Sequence, residues 1–190
     1  MFIKSILIAS FAAVGLAAPL VTRANPCFVT GKAALPAEVA DGLSTLAKSI
    51  TCNNKVQVTT GVPDVTSGGI SFSSIDFQKS KSSPLGFALA TFKTPADPKA
   101  ADLNLLQNQL NVYLAVESGV RSQTSGSSIL NKLKGPKFFL QFQIARANQA
   151  LGKKVSAAGT VEHQLGKVLK NVPGATAAEK AQVQALAKVV

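Results

Sequence analysis

Asp102–Arg121, DLNLLQNQLNVYLAVESGVR, is the longest unbroken helical pattern in the chain and lies near its middle. Leu103, Leu106, Leu110, Tyr113 and Leu114 recur at spacings of three and four, which aligns them along one side of an α-helix. Upstream, Asp97-Pro98 reads as the start signal, an acceptor side chain at the N-cap followed by proline in the first turn. Ser118-Gly119 weakens the far end. One more turn of the stripe brings Glu117 and then Arg121, four apart in the favoured acid-before-base order. Two readings of that pair stand side by side. It is a surface ion pair closing the helix, or a partly buried carboxylate held by Arg121 and therefore a site group.

Outward from this helix, the period of the apolar residues changes. Pro36–Ile50 carries Val39, Leu43, Leu46 and Ile50 at helical spacing. Lys55–Thr60 alternates as a strand does, and Gly61–Gly69 reads as a loop. Ile70–Phe77 alternates with a slip of phase at Ser73-Ser74, the mark of a β-bulge. Leu85–Phe92 reads as a third, central strand. Beyond the long helix, Ser122–Ser128 is a polar linker and Gly135-Pro136 restarts the chain. Phe138–Leu151 reads as a buried helix despite strand-like alternation over Phe138–Ile144. Val161–Asn171 is a further helix, and Thr176 with Glu179 forms a capping box for the last one. The expected fold is α+β: a small antiparallel sheet of about three strands from residues 55–92, packed against a bundle of four to five helices.

The N-terminus carries a different signal. Lys4, the apolar run Ile6–Leu16 and the small residues to Ala18 read as a secretory signal peptide, with a short pro-segment ending at Arg23. Residues 1–23 are thus the leader and 24–190 a single domain, with no transmembrane segment in the mature chain. Cleavage leaves 167 of 190 residues and removes Lys4 and Arg23, so the formal net charge falls from +11 to +9. In an oxidising compartment the two cysteines, Cys27 and Cys52, are expected to pair. The expected location is extracellular.

Gly69–Phe77 (GISFSSIDF), Pro84–Pro95 (PLGFALATFKTP), Pro136–Leu140 (PKFFL) and Asn25-Pro26-Cys27 together resemble a family of small secreted fungal proteins of unknown function. The resemblance spans most of the mature chain. It implies a filamentous fungal origin and an extracellular setting, and it brings no catalytic residues.

Absences narrow the chemistry. His163 is the only histidine, which excludes metal sites and ribonuclease chemistry built on histidine pairs. No Gly-x-Ser-x-Gly elbow and no phosphate-binding glycine loop is present. No metal site and no cofactor is expected. A chain with one Tyr and no Trp is poorly equipped to build the flat platforms of a polysaccharide hydrolase. Helical spacing turns His163 towards solvent, away from Val161, Leu165 and Val168. The catalytic candidates are Glu117, Arg121 and His163.

Charge asymmetry is the positive feature. Between Arg121 and Lys170 the only acid is Glu162, and Lys132, Lys134, Lys137, Arg146, Lys153, Lys154, Lys167 and Lys170 form a candidate basic patch. Its partner would be an anionic polymer or a lipid surface. Nucleic acid fits less well, because aromatics do not interleave with the basic run. Three functions follow. The leading one is a non-catalytic protein acting at a cell-wall, membrane or host surface through its basic face. The second is an acid/base hydrolase or isomerase using Glu117 with Arg121. The third is a carrier of a small apolar ligand, held between the sheet and Phe138–Ile144.

Overall fold

A computed structural model describes residues 25–124 and 127–189. The proposed leader, residues 1–23, lies outside the described residues. A three-stranded antiparallel sheet packs against five helices of eight residues or more, so the α+β architecture is as expected. The strands coincide only in part with the expected ones: the strand expected at Lys55–Thr60 is present with a longer start, and only the first two residues of Ile70–Phe77 are extended. β1 is Thr51–Thr59, β2 is Val62–Ser67 and β3 is the two-residue Ile70–Ser71, in the order β1-β2-β3.

The stretch expected to be a loop supplies the central strand. Pro63 has no N–H for a ladder, yet it is tolerated because it pairs with Gln57 where the β1–β2 register is irregular. Asp64 is buried, and its carboxylate is met by the backbone N–H groups of Val65 and Ser73 and by the Ser73 hydroxyl at 2.6 Å. Gly68 and Gly69 both have positive φ, 53° and 82°, and form the two-residue turn into β3.

Beyond Ile70–Ser71 the expected second strand is replaced by turns, and the expected third strand is a helix. After Ser71 the chain forms two 3-10 turns, Phe72–Ile75 and Phe77–Lys79. The Ser71 side chain accepts from Ser74 N–H and Asp76 accepts from Gln78 N–H, so local side-chain acceptors capture the backbone donors a ladder would have used. Leu85–Phe92 belongs to a helix, since Pro84–Thr91 is α-helical. Ser83 caps it by accepting from Gly86 N–H, and Pro84 occupies the first turn. Leu85, Ala88 and Phe92 are buried at helical spacing.

The remaining helices, numbered in chain order, are α1 (Ala37–Ala40), α2 (Leu43–Ala47), α3 (Pro84–Thr91), α4 (Leu103–Ser122), α5 (Ser127–Ala150), α6 (Val161–Lys170) and α7 (Ala177–Leu186). The single helix expected over Pro36–Ile50 is therefore split into α1 and α2. The Cys27–Cys52 disulfide is present and ties the start of the described chain to β1.

α4 is the centre of the domain. Its N-cap is Asp102, which accepts from the N–H groups of Asn104 and Leu105. Asp97-Pro98 opens a separate 3-10 turn, Pro98–Ala100, rather than the helix. β2 packs on one side of α4 and α5 on another. Consequently the run from Val112 to Val120 is buried almost all round, well beyond the expected stripe, with Leu114 the half-buried exception. Ser118-Gly119 does not end the helix. A Cβ at Gly119 would lie 2.6 Å from the Phe28 carbonyl oxygen and 2.7 Å from Val62, so glycine is what lets α4 approach the sheet this closely. Tyr113 packs edge-on to Phe72 and Phe92, with ring centroids 5.1 and 5.8 Å away, and donates its hydroxyl to the Ile75 carbonyl at 2.8 Å.

α5 runs through Gly135-Pro136 without the expected restart. Pro136 removes one helical hydrogen bond. Burial of Leu133, Phe139, Leu140 and Phe142 along the same helix outweighs that loss. α5 is indeed helical over Phe138–Ile144, and it packs on α3, α4 and α6 rather than on the sheet. α7 begins with the expected Thr176/Glu179 capping box. Glu179 also accepts from Ser83, which joins the starts of α3 and α7.

Candidate functional site

Glu117 lies in the last two turns of α4, where it meets α5 and is 3% exposed. Both of its oxygens are engaged. Oε1 accepts from Arg121 Nε at 3.1 Å and Nη2 at 2.9 Å, and Oε2 accepts from Lys137 Nζ at 2.7 Å. The pair read from spacing is thus a buried triad with two cations. Lys137 is the member that sequence spacing missed. It reaches Glu117 from α5, 20 residues away. Burial pushes its ammonium below the usual lysine range, and Glu117 only partly restores it.

Around this triad opens a cleft of about 480 Å³. Its cationic lining is Arg121 from α4, Lys134 and Lys137 from α5, and Lys167 from α6. Its acids are Glu117 and Glu38. Lys134 and Lys167 form no ion pair among the described residues. Lys167 is instead positioned over the Phe138 ring, 5.4 Å from its centroid, while Lys137 lies 4.3 Å from the same ring. An aromatic face orients a cation without neutralising it. Val39 of α1, Leu46 of α2 and Leu114 of α4 supply apolar parts of the same lining.

The candidate basic patch divides into an inner and an outer part. Lys132, Lys153, Lys154, Lys167 and Lys170 are exposed, and Lys134 is half-buried. Two members are not surface residues. Lys137 is drawn inside by Glu117. Arg146 is 1% exposed, because its guanidinium is taken up by internal acceptors. It donates to the Leu186 and Val189 carbonyls at 2.7 and 2.9 Å, to Gln143 Oε1 at 2.7 Å and to Thr94 Oγ1 at 3.1 Å. It therefore caps the carboxyl end of α7, and burial lowers its proton affinity.

The sequence from residue 29 to residue 190 matches a family described only as a domain of unknown function, DUF7143. The chain belongs to that family. No curated protein and no solved structure matches this DUF7143 domain.

His163 is exposed on α6 and is not among the residues lining the Glu117 cleft. The candidates Glu117 and Arg121 are brought together in the DUF7143 fold, and His163 is not brought to them. A second concavity, of about 410 Å³, is mainly apolar and lies between α3, α5 and α7, with Leu89, Phe139, Leu186 and Val189 in its walls. The space expected between the sheet and Phe138–Ile144 is filled by α4. Among the described residues no group of three metal-ligating side chains converges, and no helix is long and apolar enough to cross a membrane.

Proposed function

We propose that this chain is a secreted, non-catalytic fungal protein that acts at a cell-wall, membrane or host surface by accepting anionic groups on its basic face. One observation carries the reading. Lys134 and Lys167 line a cleft without acid partners among the described residues, beside two cations that already share one buried carboxylate. The exposed Lys132, Lys153, Lys154 and Lys170 extend positive charge beyond it. Secretion is supported by the leader-like residues 1–23 and by the Cys27–Cys52 bridge. The fungal setting rests on the resemblance of residues 69–77, 84–95 and 136–140. The test is retention on phosphate-bearing and neutral matrices over a range of salt. Retention on the anionic matrix that falls steadily with salt is the expected result. Retention that ignores salt, or none, overturns the reading.

The acid/base alternative requires a carboxylate free to exchange a proton with substrate, whereas three N–H donors already hold Glu117. The carrier alternative has a specific observation in its favour, the apolar concavity between α3, α5 and α7. Its volume reaches the lower end of the usual range for small-molecule sites, about 300–1,000 Å³. A probe such as decanoate that binds the wild type and is lost in Ala185→Trp, which fills the groove, supports a carrier. Equal binding by both removes it.

A further inference from the structure

We infer that the Glu117 cleft is a binding site for a phosphate monoester carrying an apolar substituent, with Lys134 and Lys167 as the phosphate-contacting residues. The inference rests on the basic-face reading and narrows it from a surface to a site.

Charge sets the first requirement. Arg121, Lys134, Lys137 and Lys167 face Glu38 and Glu117, so the cleft keeps an excess of two positive charges. A phosphate monoester carries about −1.5 to −2 at neutral pH and matches that excess, whereas a single carboxylate does not. Geometry sets the second. A cleft of about 480 Å³ admits a headgroup, and its concave walls strengthen the attraction relative to a flat lysine surface. Lys167 lies over the Phe138 ring, which biases its ammonium towards the site.

The triad beneath supplies the foundation. Glu117 fixes Arg121 and Lys137 and leaves them jointly with one uncancelled charge. An incoming anion completes the compensation. The burial that lowers the Lys137 proton affinity is then opposed by a second anion as well as by Glu117. The apolar part of the lining sets the third requirement. Val39, Leu46 and Leu114 offer no hydrogen bonds and suit a hydrocarbon substituent next to the phosphate.

The chemistry is shared by a soluble phosphomonoester and by a phosphatidic acid headgroup, and the test separates them. Calorimetric titration with phenyl phosphate, inorganic phosphate and phenol is made on the wild type, on K134Q/K167Q and on K153Q/K154Q. Phenyl phosphate is expected to bind more tightly than inorganic phosphate and phenol not detectably. K134Q/K167Q is expected to weaken it at least about tenfold, with K153Q/K154Q within about twofold. As a measurement free of variants, phenyl phosphate should protect Lys134 and Lys167, but not Lys153 and Lys154, from an amine-acylating reagent. Sedimentation with phosphatidic acid vesicles but not with phosphatidylcholine assigns the phosphate to a membrane. Binding of phenyl phosphate without sedimentation assigns it to a soluble ester.

No binding of phenyl phosphate by the wild type, equal affinity for inorganic phosphate, or equal loss in both double variants overturns the site. The last outcome still leaves salt-dependent retention on anionic matrices, so the cleft can fail while the basic-face reading stands. Conversely, phenyl phosphate binding without matrix retention removes the basic face and keeps the cleft.

Discussion

Replacing Glu117 by glutamine tests the buried triad. The change keeps the size of the side chain and removes its charge. Its two cationic partners differ in exposure: the Lys137 side chain is 10% exposed and that of Arg121 is 18%. Arg121 can turn towards water, so its share is limited to about 1 kcal/mol. Lys137 cannot, and removing one partner of a buried pair costs about 3–5 kcal/mol, much of it the price of the charge left behind. E117Q is therefore expected to lose about 3–4 kcal/mol in urea unfolding near neutral pH, with the disulfide intact. The loss has a pH signature. Without Glu117 the Lys137 ammonium gives up its proton more readily, and the neutral amine no longer needs a counter-ion. The deficit of E117Q should thus shrink as pH rises towards 10.5, the value of an unperturbed lysine. Pairing E117Q with K137M removes the stranded charge and should restore most of the stability. A loss below about 1 kcal/mol, the behaviour of a surface pair, would refute the reasoning. So would K137M adding to the loss instead of offsetting it.

Tyr113 is the only tyrosine and the chain has no tryptophan, so absorbance near 295 nm reads its ionisation alone. Burial, with a smaller push from Asp76, raises its hydroxyl well above 10.0. The native protein should show no tyrosinate at pH values where the urea-unfolded chain is titrating, and stability should fall as pH rises beyond 10, because only the unfolded state ionises there. A native titration near 10 contradicts the burial. Gly119→Ala should cost at least 2 kcal/mol or so by forcing α4 away from Val62 and the Phe28 carbonyl, which chemical unfolding measures. Arg146→Met should release the end of α7, seen as faster amide exchange over residues 183–189 with α4 protected as before. Exchange unchanged in α7 contradicts the capping role. Removal of the Cys27–Cys52 bridge should cost about 3.5 kcal/mol in a chain-entropy account, measured by unfolding of the double serine variant.

The helices α4 and α6 were legible from their 3.6-residue period, and α7 from its capping box as well, whereas the start read for α4 at Asp97-Pro98 belongs to a separate turn. The sheet was legible in kind and, at β1 and the start of β3, in place, but its central strand was not. Val62–Ser67 contains proline and aspartate, which argue against a central strand; Gln57 and the Ser73 donors supply the tertiary exceptions. Leu85–Phe92 was misassigned because its continuous apolar run masks the period, although Ser83-Pro84 carried the helix start in plain sight. Glu117 and Arg121 were visible as a pair through their spacing. Lys137 was hidden by Gly135-Pro136, which broke the reading of α5 and so kept Lys134, Lys137 and Phe138 from being seen on one helix. No local pattern distinguishes Arg146 from an exposed arginine. Its acceptors lie 40 or more residues away in the cases of Leu186, Val189 and Thr94.

The central claim is that anions are bound by the cations of the Glu117 cleft rather than by the outer lysines. The most direct measurement is the salt concentration at which wild type, K134Q/K167Q and K153Q/K154Q elute from phosphocellulose. All three carry defined charge, and the two double variants have the same net charge. The account predicts that K134Q/K167Q elutes at much lower salt than the wild type and K153Q/K154Q close to it. Coincident elution of the two variants would contradict it.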